Sequence, residues 1–108
     1  MEGTTIYQGT PEGEALGFYC DMFDGWLLRY RDVIYILYIK SKEEGHGNTT
    51  RFLKNLLDRG FTVKISSVVN DRLGHICKNL GFTKVEDYHP YYHDIFDMWV
   101  KFREIPQK

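Results

Sequence analysis

Val33-Ile34-Tyr35-Ile36-Leu37-Tyr38-Ile39 is the stretch that most limits what this chain can become. It is apolar on both faces, so an amphipathic surface strand is excluded and a central, covered strand is predicted. The run Val33–Lys40 ends in a polar, glycine-bearing segment, Lys42-Glu43-Glu44-Gly45-His46-Gly47. A periodic stretch follows in which Phe52, Leu53, Leu56 and Leu57 fall on one side of a helix. Strand, glycine turn and helix in that order leave several N–H groups at the helix start aimed at one point. The helix dipole favours an anion there, and glycines let it approach the backbone.

The surrounding segments place this unit in a sheet. Thr4–Gln8 reads as a short strand. Pro11 to Phe23 reads as a helix, with Thr10 as N-cap and Pro11 at the first helical position, weakened by Gly13 and Gly17. Trp26–Arg31 and Val33–Lys40 form an antiparallel hairpin across an Arg-Asp turn. Gly47 or Asn48 caps a helix to about Arg59, and Gly60 stops it. Phe61–Ser67 is a strand. Asn70 caps a second helix with Leu73, Ile76, Cys77 and Leu80 inward, and Gly81 ends it. Phe82–Glu86 and Ile95–Phe102 are strands joined by an aromatic loop, Asp87–Asp94. The fold class predicted is α/β (α+β): a mixed, mostly antiparallel central sheet with helices on both faces.

At 108 residues, 43% hydrophobic and 27% charged, the composition suits a single domain spanning 1–108. It divides into a short N-terminal part (1–32), a central part (33–83) and C-terminal strands (84–108). No apolar run reaches the roughly 18 residues of a membrane span, and the first residues do not read as a signal peptide. Cys20 and Cys77 are expected to be reduced thiols, and the protein is expected to be cytoplasmic. The net charge of -1 opposes general nucleic-acid binding. Six Lys or Arg against three acidic residues lie between Lys40 and Lys64, while Glu86 to Asp97 holds four acidic residues and no Lys or Arg. That asymmetry suits an anionic cofactor beside a cationic substrate, and equally two solvated faces.

The loop itself is not a Walker motif, because Gly47 is followed by Asn48-Thr49, nor a dinucleotide fingerprint, because residue 50 is Thr. Gly-x-Gly alone also fits a plain turn. Lys40, Lys42 and Arg51 add positive charge around it.

Residues Lys42–Gly47 resemble the Arg/Gln-x-x-Gly-x-Gly/Ala loop of the GNAT superfamily of acyl-CoA-dependent N-acetyltransferases, with Lys42 where Arg or Gln is usual. Asn70-x-x-Leu73 followed by Asn79-Leu80-Gly81-Phe82 resembles a second signature of that family, and the likeness spans roughly residues 26 to 102. It implies acetyl-CoA as co-substrate, held in a splay between the strands 35–40 and 61–67. Backbone groups near Tyr38, Ile39 and Lys40 would meet the pantetheine arm. Lys42, with the amides of Gly45, His46, Gly47, Asn48 and Thr49, would hold the pyrophosphate, and Asn70 joins the cofactor-binding set. It further implies acyl transfer to a primary amine on a small molecule or peptide. The alternative is a reduced domain of this shape that binds CoA or a protein partner without turnover. A nucleic-acid modifier on the same fold is a third, unfavoured reading, and a homodimer is compatible with the exposed aromatic strands.

The family often carries a tyrosine that protonates the departing thiolate; here that position is Cys77. A thiol can donate a proton, though a cysteine on an inner helix face usually packs. Candidate bases are His89, His93, Tyr88, Tyr91 and Tyr92. His89 and His93 stand four apart, but Pro90 opposes a helix between them and no third ligand is evident, so no metal is expected. Ser66 and Ser67 lack the context of a nucleophile. His46 reads as a spacer and His75 as a helix-surface residue.

Overall fold

The computed structural model describes residues 3–43, 47–66, 71–89 and 93–102. The elements run β1 (Thr4–Tyr7), α1 (Pro11–Ala15), β2 (Phe23–Tyr30), β3 (Val33–Ser41), α2 (Asn48–Asp58), β4 (Thr62–Ile65), α3 (Asp71–Asn79), β5 (Thr83–His89) and β6 (Asp94–Lys101). The strands form one six-stranded sheet in the order β1-β2-β3-β4-β6-β5. Only β3 and β4 pair in parallel; every other neighbouring pair is antiparallel. This is the mixed, mostly antiparallel α/β sheet that the sequence pattern predicts, with the twice-apolar run as β3 near its centre.

Burial follows the alternation. On one face, Leu27, Ile34, Ile36, Val63 and Ile65 join Phe52, Leu53 and Leu56 of α2 and Leu73 and Cys77 of α3 in the larger core cluster. Phe18, Phe23 and Phe52 pack ring on ring within it, with centroids 5.3 to 5.8 Å apart. On the other face, Leu28, Tyr35, Leu37, Met98 and Val100 form a smaller cluster. Helices are expected on both faces; among the described residues all three pack on the first face. The second face is covered instead by the β5–β6 hairpin, which curls back so that Asp87 reaches Lys64 and the His89 ring reaches Tyr35.

Two regions depart most from the sequence expectation. The N-terminal helix ends at Ala15 rather than Phe23. Thr10 Oγ1 accepts from the Gly13 amide as an N-cap should, but the chain leaves the helix at Leu16 and turns at Gly17. That turn sends Phe18 into the core and frees Phe23 to begin β2. The aromatic loop is also shorter than expected. β5 continues to His89 and β6 begins at Asp94, because Tyr88 pairs with Ile95 and His89 with Asp94 in register. Side chains of strand-favouring types carry the ladder further than the polar residues around them suggest.

Among the described residues no helix is long and apolar enough to cross a membrane.

Candidate active site

β3 is longer than the strand beside it. Its parallel pairing with β4 runs from Val33↔Thr62 to Ile36↔Ile65, and the Ser66 amide donates to the Ile36 carbonyl at 3.3 Å. From Tyr38 to Ser41, β3 stays paired to β2 but has no β4 partner among the described residues. Among the described residues, then, the edge of β3 beyond Ile36 faces no strand, and its main-chain groups there are left to other partners. At the same point the β2–β3 ladder slips: Leu27 pairs with Ile36 but Trp26 with Tyr38, leaving Leu37 as an extra residue in β3. A bulge there turns the local backbone groups away from their usual partners, as bulges beside functional sites do.

A groove of about 230 Å³ follows this open edge. Ile39, Lys40 and Ser41 of β3 form one wall, Leu73 and Ile76 of α3 another, and Gly47, Asn48 and Thr49 its end. Gly47 is the N-cap of α2, in the left-handed conformation at φ 76°, and among the described residues no side chain caps the helix. The Arg51 amide donates to the Gly47 carbonyl as the first helical bond, so the amides of Asn48, Thr49 and Thr50 have no intrahelical acceptor. An uncapped helix start at the end of a groove is an anion site by its dipole and its free donors together. Cations stand near it, alongside one acidic lining residue, Glu43. Arg51 donates to the Asn48 side-chain oxygen, which fixes the guanidinium over the first turn. Arg72 lines the groove from α3. Lys42 reaches Asp24 at a loose 3.7 Å with both side chains about half exposed, and its amide donates to the Met22 carbonyl at 2.8 Å.

Of the predicted cofactor-binding residues, Ile39, Lys40, Gly47, Asn48 and Thr49 line one groove. Lys42 stands at the start of the loop, and the Tyr38 side chain points to the opposite face, beside Trp26. Gly45, His46 and Asn70 lie outside the described residues, as do Tyr91 and Tyr92. Sequence reading missed Arg72, Leu73 and Ile76 as groove wall. Leu73 and Ile76 carried the signature of core residues, since one helix face both packs inward and borders the splay.

The predicted catalytic residues do not converge. Cys77 is fully buried in the larger core cluster, and burial pushes its thiol up to about 11. Its neighbour Ile76 lines the groove while Cys77 does not. It sits as a packing residue, not as a donor facing the groove. His89 is likewise fully buried, its ring 5.2 Å from that of Tyr35. Burial first, and the Lys64 charge second, lower its pKa, so it is neutral at physiological pH. Tyr88 and His93 do come together: the hydroxyl and Nδ1 are 3.0 Å apart on the exposed hairpin tip. His93 holds a left-handed turn at φ 55°. Among the described residues no three His, Cys, Asp or Glu side chains gather as metal ligands.

Compared with known proteins, the chain matches no family model and no curated protein. Among solved structures it is similar to NAA60 of Arabidopsis thaliana, crystallised in complex with acetyl-CoA, at 10% identity and a TM-score of 0.45. The match covers 93% of this chain and 62% of that one. A likeness so distant decides no chemistry; the groove carries the functional reading.

Proposed function

We propose that this protein is an acyl-CoA-dependent N-acyltransferase, using acetyl-CoA to acylate a primary amine by direct attack in a ternary complex. The supporting observation is that the open edge of β3 ends at an uncapped helix N-terminus. A long, thin ligand with amide groups along its arm and a pyrophosphate at its far end fits those two features in that order. The free amides at Asn48 and Thr49, with Arg51 and Lys42, would hold the pyrophosphate. Main-chain groups of Ile39 and Lys40 would bond the arm, and the apolar side chains of Leu73 and Ile76 would exclude water from it.

The chemistry asks little covalent help of the protein. A neutral amine nitrogen attacks the thioester carbonyl carbon, the C–S bond breaks, CoA leaves as the thiolate, and the surplus proton on nitrogen is lost. A main-chain N–H of β3 beside the Leu37 bulge, where the ladder is interrupted, would receive the developing oxyanion. Of the described members of the predicted set, the exposed Tyr88–His93 pair would be the accessible proton acceptor, whereas His89 and Cys77 are enclosed.

The enclosure of Cys77 favours a second reading, a domain that binds CoA without turnover, because no acid then stands at that position. A thermal-shift series with acetyl-CoA, CoA and ATP tests the shared part: stabilisation by the two CoA species and not by ATP is expected. No shift with either CoA species sinks both readings. Thiol release over a panel of amines then separates enzyme from binder.

A further inference from the structure

A second hollow lies on the helix face of the sheet, at the other end of α2 from the cofactor groove. Ile6, Leu16 and Phe61 border a cavity of about 620 Å³, with Arg29, Arg59 and Glu12 also on its walls. Ile6 and Leu16 belong to the larger core cluster and Phe61 packs against it, so these three form an apolar floor. The volume is that of a small-molecule site. The groove meets α2 at Asn48 and Thr49, whereas this cavity meets the chain at Arg59, just past the helix's 11 residues. At a rise of ~1.5 Å per residue, the two stand about 16 Å apart along the helix.

Both arginines of the cavity are held by neutral partners. Arg29 Nε donates to the Arg31 carbonyl at 3.0 Å, and its guanidinium carbon lies 5.0 Å over the Phe61 ring. Arg59 Nη1 donates to the Ala15 carbonyl. Neither forms an ion pair among the described residues, where the ion pairs are Lys42–Asp24 and Lys64–Asp87. A guanidinium lying over a ring keeps its in-plane N–H edge for a planar oxyanion. Holding neighbouring segments together accounts for the bonded nitrogens. It leaves two unneutralised guanidinium groups on the walls of one cavity with an apolar floor.

The charge on the walls limits what fits. Glu12 is the one acid among the lining residues, so two positive charges and one negative leave a balance of +1. A monoanion meets that balance. A dianion such as a phosphate monoester would leave surplus negative charge beside Glu12, and the C-terminal dipole of α2 opposes it further.

We propose that this cavity binds an organic monocarboxylate with a compact apolar body, at a site separate from the cofactor groove. The carboxylate takes the remaining N–H groups of Arg29 and Arg59, and the body lies on Ile6, Leu16 and Phe61. A small inorganic anion would leave that floor wet, and a neutral apolar molecule would leave the guanidinium groups without an acceptor. The proposal does not rest on the acyl-CoA reading above.

The test is isothermal titration calorimetry of the whole chain with octanoate, octanol and octylammonium. Octanoate should bind saturably and the other two should not. Arg29→Gln and Arg59→Gln should each weaken octanoate about tenfold. Glu12→Gln should tighten it about two- to threefold by removing a repelling charge, a gain that loss of structure cannot mimic. Parent affinity in both arginine variants overturns the proposal. Equal binding of octanol also overturns it, and makes the cavity a general apolar pocket. Should the arginine variants melt early, Glu12→Gln still decides, because no gain in affinity there overturns the proposal. Saturating CoA should leave octanoate affinity unchanged; displacement would put octanoate in the cofactor groove and overturn the separate site. If octanoate binds as expected while CoA species give no thermal shift, the acyl-CoA reading fails and the carboxylate site stands.

Discussion

Lys64 and Asp87 are joined at 2.7 Å although their strands, β4 and β5, are not neighbours in the sheet. The contact exists because the β5–β6 hairpin curls over the helix-free face. Lys64 Nζ also lies 5.5 Å above the Tyr35 ring, and the His89 ring closes on that same tyrosine. One ion pair and two ring contacts thus hold the lid on the smaller core cluster.

The pair predicts a pH-dependent stability. The hydrogen bond from Lys64 is the largest cause that lowers the Asp87 carboxyl pKa, with the Tyr88 amide assisting against partial burial. A lowered folded pKa means the contribution is present above the unfolded value, about 3.9, and is lost as pH falls through the folded one. Asp87→Asn should cost about 1 kcal/mol at pH 7, a modest figure because solvent screens a carboxylate over a third exposed. Urea unfolding from pH 7 to pH 2 should show parent and variant converging in acid. A constant gap would remove the ion pair from the account.

Gly47 is the position at which the cofactor reading is most exposed to a single change. Its φ of 76° is one that L-residues adopt at a cost of about 1–2 kcal/mol, and a Cβ there would stand 3.1 Å from Arg51 Nη1. Gly47→Trp should abolish the acetyl-CoA thermal shift by filling the end of the groove, while the strain of about 1–2 kcal/mol lowers the melting temperature of the free protein by roughly 4–16 °C. Undiminished acetyl-CoA affinity would contradict the assignment of this helix start to the pyrophosphate.

What could be read in the sequence was what local chemistry decides. The run Val33–Ile39 had to be a covered central strand, and Gly47 before Asn48 had to begin a helix, because neither depends on a distant contact. The curl of the β5–β6 hairpin depends on Lys64 meeting Asp87 across an intervening strand, and no local pattern carries that. The same limit applies to the helices: the periodicity of Leu73, Ile76, Cys77 and Leu80 gave an inner face without saying which side of the sheet it would meet. Ile76 and Cys77 show the finest grain of the problem, adjacent residues of which one borders the groove and the other is sealed.

That sealing makes Cys77 chemically quiet. With its thiol pushed up to about 11 by burial, little thiolate exists at pH 8, and the side chain has no exposed surface. Cys20 is exposed. A disulfide-exchange reagent should therefore titrate one thiol per folded chain and two in urea. Cys77→Ala should leave turnover unchanged and cost about 1–2 kcal/mol of stability through the small cavity. Fast modification of both thiols in the folded protein would show that the core opens at α3.

Gly25 tests whether the close approach of β2 to β3 shapes the open edge. A Cβ on Gly25 would fall on the Tyr38 carbonyl oxygen and lie 3.0 Å from the Ile39 Cα, both main-chain atoms that cannot swing aside. Gly25→Ala must push β3 away from β2 just where, among the described residues, β3 has no β4 partner. The expected cost is about 2 kcal/mol or more, with acetyl-CoA binding weakened as Ile39 and Lys40 shift. Gly60→Ala is the matched comparison: it has φ +90° but nothing within 4 Å of its Cβ, so strain of about 1–2 kcal/mol is its whole effect. It should leave acetyl-CoA affinity as in the parent. Equal losses of affinity in the two variants would mean that general destabilisation, not the position of β3, controls the groove.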